Sequence, residues 1–220
     1  MHLTTVIFDM DGLLIDSEPL WREAAQHVFA QYNIRLSADE YKTTTGLRSR
    51  EFVRWWFSKY NVEEKEMKHA EDKLVKTVIE LVQTRGKVMP GVDYIFQFFK
   101  EHNFKIGLAS SSNMELINVV VDMLHLRDNL HAITSAENLF YGKPHPQVYL
   151  NCAEELNSNP VECVCFEDSF NGMIAGLAAR MQCVVVPEHL QYTQERWGAA
   201  SLKISSLKNF NHLHLDLLER

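Results

Sequence analysis

Apolar residues along this chain follow two rhythms. Short apolar runs at Thr5–Phe8 and from Lys105 to Ser110 read as buried strands, and similar runs recur at 132–135, 161–166 and 182–186. Between them lie stretches with one apolar face. Leu116, Val119, Val120, Met123 and Leu124 share such a face, and 146–156 and 169–180 repeat the helical pattern. Strands alternating with helices predict a parallel sheet covered on both sides. Right-handed crossovers then make a doubly wound, Rossmann-like α/β core.

The alternation stops between Asp16 and about Lys87, where three or four helical stretches stand without a convincing strand. Phe52, Val53, Trp56, Phe57 and Tyr60 form one stripe there. Met67, Leu74, Val78, Leu81 and Val82 form another, and the two are expected to pack together. Thr84-Arg85-Gly86-Lys87 reads as a return linker, and Pro90-Gly91 opens the next helix. The expected division is therefore an α/β core made of 1–15 plus 88–220, with a helical unit at 16–87 inserted after the first strand.

At 220 residues, 46% hydrophobic and 23% charged, the chain has the composition of an ordinary globular protein that can bury a sizeable core. Its 22 basic and 29 acidic residues leave a net charge of −7, which argues against a nucleic-acid or anionic-membrane partner. No apolar run reaches transmembrane length, and Asp9 and Asp11 interrupt the N-terminus where a signal peptide would be apolar. A cytoplasmic location and a monomeric state are expected. The four cysteines need no disulfides in that setting. Cys163 and Cys165 would face one side of a strand as small core residues. His212-x-His214 lacks the neighbouring Cys or carboxylates that would suggest zinc.

The first strand runs into Asp9-Met10-Asp11-Gly12, so an apolar segment delivers two carboxylates to a glycine turn. If strand geometry persists past Phe8, both side chains leave on the same side at the strand's C-terminal end, where ligands bind in open α/β sheets. Asp-x-Asp-Gly also suits a plain turn or part of a calcium loop. Leu13, Leu14 and Ile15 spoil the calcium pattern, and two like charges at a strand end need a cation or a proton between them. Taken singly, the later pieces are ambiguous. Ser110-Ser111-Ser112 is a turn, a helix cap or a phosphate cradle. Lys143 is a solvated loop lysine or a presented cation stiffened by Pro144 and Pro146, and Glu167-Asp168-Ser169 could be no more than an N-cap.

In this order the pieces resemble the four motifs of the haloacid-dehalogenase-like phosphohydrolases. Asp9, Asp11, Gly12, Asp16 and Ser17 match the first, Ser110 the second, Lys143-Pro144 the third, and Glu167-Asp168-Ser169 with Gly172 the fourth. The spellings F-D-M-D-G-L-L-I-D-S-E-P-L-W and K-P-H-P-Q-V-Y-L are similar to those of bacterial hexitol and 2-deoxyglucose-6-phosphate phosphatases. The resemblance implies that Asp9 is a nucleophile forming an aspartyl-phosphate and that Asp11 is the general acid and base. It implies Mg²⁺ held by the Asp9 carboxylate, the Asp11 carbonyl and Asp168, with Glu167 as an outer partner. Ser110 and Ser111 would hold the phosphate with Lys143, Asn113 being a weaker candidate. The helical unit would be the cap and Asp16-Ser17 its hinge.

The chemistry accords with those roles. A doubly charged phosphate brought to about 4 Å from a carboxylate costs on the order of 8 kcal/mol at an effective dielectric of 20. A hard divalent ion and a lysine offset that repulsion. The implied substrates are small phosphorylated sugars or sugar alcohols. Gly46 and Arg48 lie where related caps dip into the cleft, so Arg48 or Arg50 could bind sugar hydroxyls or stand solvated at a helix start, while Trp55 is expected at the surface or in cap packing. The closest rival is a β-phosphoglucomutase-like reaction. Those enzymes carry a hinge histidine where Trp21 stands here, which favours hydrolysis. A non-catalytic binding protein is the remaining alternative.

Overall fold

The computed structural model describes residues 2–220. Among them, six parallel strands form one sheet in the order β3-β2-β1-β4-β5-β6: β1 Thr5–Phe8, β2 Lys105–Ser110, β3 Ala132–Ser135, β4 Cys163–Glu167, β5 Gln182–Val185 and β6 Leu202–Lys203. The order reverses beside β1, which pairs with β2 on one side and β4 on the other, so the ligand crevice of a doubly wound sheet opens at its end.

The pleat sorts the strand residues. Val6 and Phe8 of β1, with Val164 and Phe166 of β4, join the core under α5 (Val92–Glu101), α6 (Met114–Met123) and α9 (His212–Leu218). Ile7, Cys163, Cys165 and Cys183 face the opposite layer, with Cys152 and Tyr149 of α7 (Gln147–Glu155) and Met173 of α8 (Phe170–Ala178). All four cysteines are buried and free, in keeping with small core residues. Phe8, the last residue before Asp9, lies between the rings of Phe96 and Phe166, with centroids at 4.9 and 5.2 Å. That packing fixes the strand end which carries the first carboxylate.

Between β1 and α5 the chain is helical: α1 Glu18–Phe29, α2 Ala38–Lys42, α3 Ser49–Lys59 and α4 Met67–Arg85. The two apolar stripes do meet, since α4 packs on α3 as well as on α1, and Phe29 stacks on Phe52 at 5.3 Å. Tyr60, placed in a stripe, is instead exposed just past the end of α3, where Asn61 takes a left-handed φ and turns the chain. Thr84 and Arg85 continue α4 instead of forming a linker. The outgoing and returning strands of this insertion run side by side: Asp16 N–H donates to the Lys87 carbonyl at 2.8 Å, and Met89 N–H to that of Leu14 at 2.9 Å. Among the described residues no helix is long and apolar enough to cross a membrane.

Candidate active site

The expected chemical groups arrive at the C-terminal edge of the sheet from the ends of β1, β2 and β4 and from the segment after β3. Asp9 follows β1 directly, and its N–H donates to the Phe166 carbonyl at 3.0 Å, so the sheet ladder fixes its backbone. Ser110 ends β2, Glu167 ends β4 and Asp168 comes next. Gly12 turns the chain away with φ 75°, and a Cβ there would run into the Asp168 carboxylate. Lys143 comes in from the segment after β3. Its ammonium is buried and donates to Asp9 Oδ1 at 2.6 Å, Glu167 Oε1 at 2.6 Å and the Ala109 carbonyl at 3.0 Å. Tyr149 Oη lies 3.3 Å from the same nitrogen and donates to Glu167 Oε1 at 2.6 Å.

This cluster holds more negative charge than its one buried lysine can balance. Burial raises Asp9 to about 7, Glu167 adding repulsion while Lys143 pulls the other way. Asp168 is held well above the ordinary carboxylate range by burial and then by Asp9 and Glu167. Glu18, at the start of α1, is pushed up to about 8 by burial and by the carboxylates of Asp11, Asp9 and Glu188. For Lys143, burial would remove the proton, but Asp9 and Glu167 outweigh it and keep the amine charged. One oxygen each from Asp9, Glu167 and Asp168 lie within 4.8 Å of one another, which suits a hard divalent cation. Their other bonds differ. Glu167 already accepts from Lys143, Tyr149, Ser169 Oγ and the N–H groups of Asp168 and Ser169. The Asp168 carboxylate accepts no hydrogen bond from the described residues, and Asp9 takes one only at Oδ1. Asp9 and Asp168 therefore have open oxygens, and Glu167 fits an outer position.

Asp11 is turned to different partners. Its Oδ1 accepts from Ser17 Oγ at 2.6 Å and Trp21 Nε1 at 3.0 Å, and its Oδ2 from Ser112 Oγ at 2.6 Å. Asp9 and Asp11 line the same cavity of about 60 Å³ with Ser110, Ser111, Lys143 and Asp168. Trp21, Ser112 and Tyr149 were not singled out for these contacts from the sequence. Trp21 stands one helical turn after Ser17, so the two reach a common oxygen. That spacing was a usable signal.

The other expected residues divide. Gly46 lines the cavity, accepts from Ser111 Oγ at 2.8 Å and has φ 84°, with no room for a Cβ beside Ser169 Oγ at 2.7 Å. Asn113 is occupied as the N-cap of α6, accepting from Leu116 N–H at 3.2 Å. Arg48 does not reach the cavity. It is buried, and its guanidinium donates away from the cleft to the carbonyls of Ala136 and Leu139 at 3.1 and 2.6 Å and pairs with Glu51. Arg50 likewise donates to Leu139, at 2.5 Å. Core carbonyls have taken these donors, so the guanidinium of Arg48 is neither in solvent nor free for a sugar hydroxyl. Trp55 is 58% exposed on the surface of α3.

Residues 6–186 match the family of haloacid dehalogenase-like hydrolases. The chain belongs to that family. Hexitol phosphatase B of Escherichia coli strain K12 is 41% identical over 207 residues, covering 94% of this chain and 93% of that protein. Beta-phosphoglucomutase of Bacillus subtilis is 30% identical over 191 residues, covering 84% of this chain and 83% of its own. The crystal structure of a beta-phosphoglucomutase from Clostridium difficile superposes with TM-score 0.87 at 23% identity, covering 99% of this chain and 97% of that one. At that identity the likeness is one of fold.

Proposed function

We propose that this chain is a Mg²⁺-dependent phosphatase of small sugar and sugar-alcohol phosphates, hexitol phosphates and 2-deoxyglucose 6-phosphate among them, acting through an aspartyl-phosphate on Asp9. One observation carries the reading: Asp9 and Asp11 enter one small cavity with opposite surroundings, Asp9 on an ammonium and Asp11 on two hydroxyls and an indole. Asp9 attacks phosphorus in line with the departing alkoxide. Asp11 protonates that oxygen, then takes a proton from the water that cleaves the acyl phosphate. Lys143 and the Ser110 hydroxyl hold the phosphoryl oxygens, with Ser111 beside them. Asp9 and Asp168, with the Asp11 carbonyl, would hold Mg²⁺, which when bound supplies positive charge against phosphate and carboxylates.

The sizes of the cavities support a phosphate ester with a polar tail. The cavity of about 60 Å³ at the two carboxylates is the narrow part of the cleft, where the phosphoryl group would sit. An adjoining cavity of about 440 Å³ shares Glu18, Tyr41, Thr45, Asp168 and Ser169 with it and is flanked by the helical insertion, which serves as a cap over the site. The 41% identity to a hexitol phosphatase supports the same substrate class. Trp21 argues against the mutase reading, because an indole N–H holds Asp11 but carries no proton to and fro at neutral pH. The net charge of −7 supports a monomer with no nucleic-acid or anionic-membrane partner.

The test is phosphate release from a panel of hexitol, hexose and 2-deoxyhexose 6-phosphates with and without Mg²⁺. Release only with Mg²⁺, lost in Asp9→Asn, and a trapped phosphoenzyme or no turnover in Asp11→Asn are expected. Interconversion of glucose phosphates without release would establish the mutase instead, and normal steady-state turnover by Asp11→Asn would remove its assigned role.

A further inference from the structure

Arg48 is 3% exposed, yet it stands at the N-terminus of α3, in the helical insertion, and all its core partners lie in one segment, 136–142, between β3 and Lys143. Nη1 donates to the carbonyls of Ala136 and Leu139, and Nη2 reaches that of Phe140 at 3.4 Å while pairing with Glu51. Glu51 in turn accepts from Arg48 N–H at 3.3 Å and from the Gly142 N–H. Gly142 has no positive φ, so its lack of a side chain serves space alone: a Cβ there would lie 2.5 Å from Arg48 Nε and 2.7 Å from Glu51 Oε2. The loop between α2 and α3 is tied to the core elsewhere by single bonds, Ser111 Oγ to the Gly46 carbonyl at 2.8 Å and Asn171 Nδ2 to that of Thr45 at 2.9 Å. The guanidinium is the one tie here that spans several carbonyls at once with its charge compensated. A buried arginine of that kind is costly to break on one side only.

We propose that Arg48 and Glu51 form a latch that holds the cap over the catalytic cavity, with Gly142 as its seat on the core. Arg48 is on this view a positioning residue, acting on substrate through cap closure. The proposal rests on the reading of the helical insertion as a phosphatase cap. A substrate whose leaving group needs the closed cap depends on the latch, and one that needs only Asp9, Lys143 and Ser110 does not.

Arg48→Met removes the latch from the cap side while keeping apolar bulk. Gly142→Ala removes it from the core side without touching the cap. Amide hydrogen exchange is compared across 44–52 and 136–142, with β4 as the internal control. Each variant is expected to speed exchange in both segments by about tenfold, equivalent to about 1.4 kcal/mol of closing free energy, and the double variant no further, because both act on one contact. For a hexitol 6-phosphate kcat/KM should fall by about tenfold, mostly in KM, while p-nitrophenyl phosphate changes less than about threefold. Unchanged exchange in these segments, additive effects of the two variants, or an equal loss on both substrates would overturn the latch. If Arg48→Met fails to fold, Gly142→Ala decides by the same readings. Should the wild type hydrolyse no sugar phosphate, the exchange data still decide the latch, and the proposed substrate class alone falls.

Discussion

Glu167 carries no open oxygen, and that ties the lysine's position to a tyrosine hydroxyl. Tyr149 donates to Glu167 Oε1 at 2.6 Å and sits 3.3 Å from Lys143 Nζ, all three being buried. Tyr149→Phe is expected to cost about 1–2 kcal/mol of stability, the usual penalty for a buried partner left unmade, and to lower kcat by about tenfold with little change in KM. Thermal unfolding with steady-state kinetics checks both, and a pure KM effect would contradict it. Glu18 gives a second test at this scale. It is held near 8 when folded against an ordinary 4.5, so the native state keeps a proton that the unfolded chain releases. Its contribution is thus greatest at low pH and declines as pH rises from about 4.5 towards 8, by at most about 1.4 kcal/mol per pH unit. Glu18→Gln should flatten the fall of Tm over that window. The positions of Asp9, Ser110 and Asp168 were legible because each stands where an apolar run ends, and those of Asp11 and Lys143 only through the motifs they resemble. Trp21, Ser112 and Tyr149 were not, since their contacts depend on side-chain reach across the fold, and Arg48 was misplaced for the same reason.

The strands from β1 to β5 could be read from apolar runs, with ends shifted by a residue or two at β4. No reading reached β6, because Leu202 and Lys203 are only half-buried and their pairing with Val184 and Val185 is set by β5, not by any local pattern. Helix α9, from His212 to Leu218, was missed similarly: it buries Leu215 and Leu218 against the α5 side of the sheet but spans only seven residues. The helix that shapes the site most closely is α8. Ser169 caps it, accepting from Gly172 N–H at 3.0 Å, and Gly172 lies so near the Glu167 carboxylate that a Cβ would overlap it. Gly172→Ala must push either Glu167 or the first turn of α8 aside. The expected outcome is loss of about 1–3 kcal/mol by overpacking and near-complete loss of turnover, since Glu167 orients Lys143. Ser169→Ala, which removes only the cap, should cost about 1 kcal/mol. A Gly172→Ala variant with wild-type kinetics would detach Glu167 from the chemistry.

Over the whole molecule, the excess of acid is gathered where it destabilises the fold. Asp9 is raised by burial and then by Glu167, and Asp168 by burial and then by Asp9 and Glu167, with Lys143 the nearest buried cation, and Asp168 has no donor among the described residues. A carboxyl raised on folding stabilises most below its unfolded pKa of about 4 and loses that contribution as pH climbs towards its folded value, about 7 for Asp9. Without divalent cations Tm should therefore fall between about pH 5 and about pH 8. A cation bound to the native state alone reverses this by mass action, adding about 2.7 kcal/mol at a hundred times its Kd. Asp168→Asn separates the two effects. It removes one buried negative charge, so without Mg²⁺ at neutral pH the variant should melt higher than the wild type and with a flatter pH dependence. It also removes an open ligand, so its response to Mg²⁺ should shrink to near zero together with phosphate release. Calorimetry with and without Mg²⁺ at two pH values measures all of this in one protein. A variant that melts lower in the absence of metal would mean that Asp168 holds the fold through its charge, and the site would then be a structural ion network instead of a cation site strained by its own carboxylates.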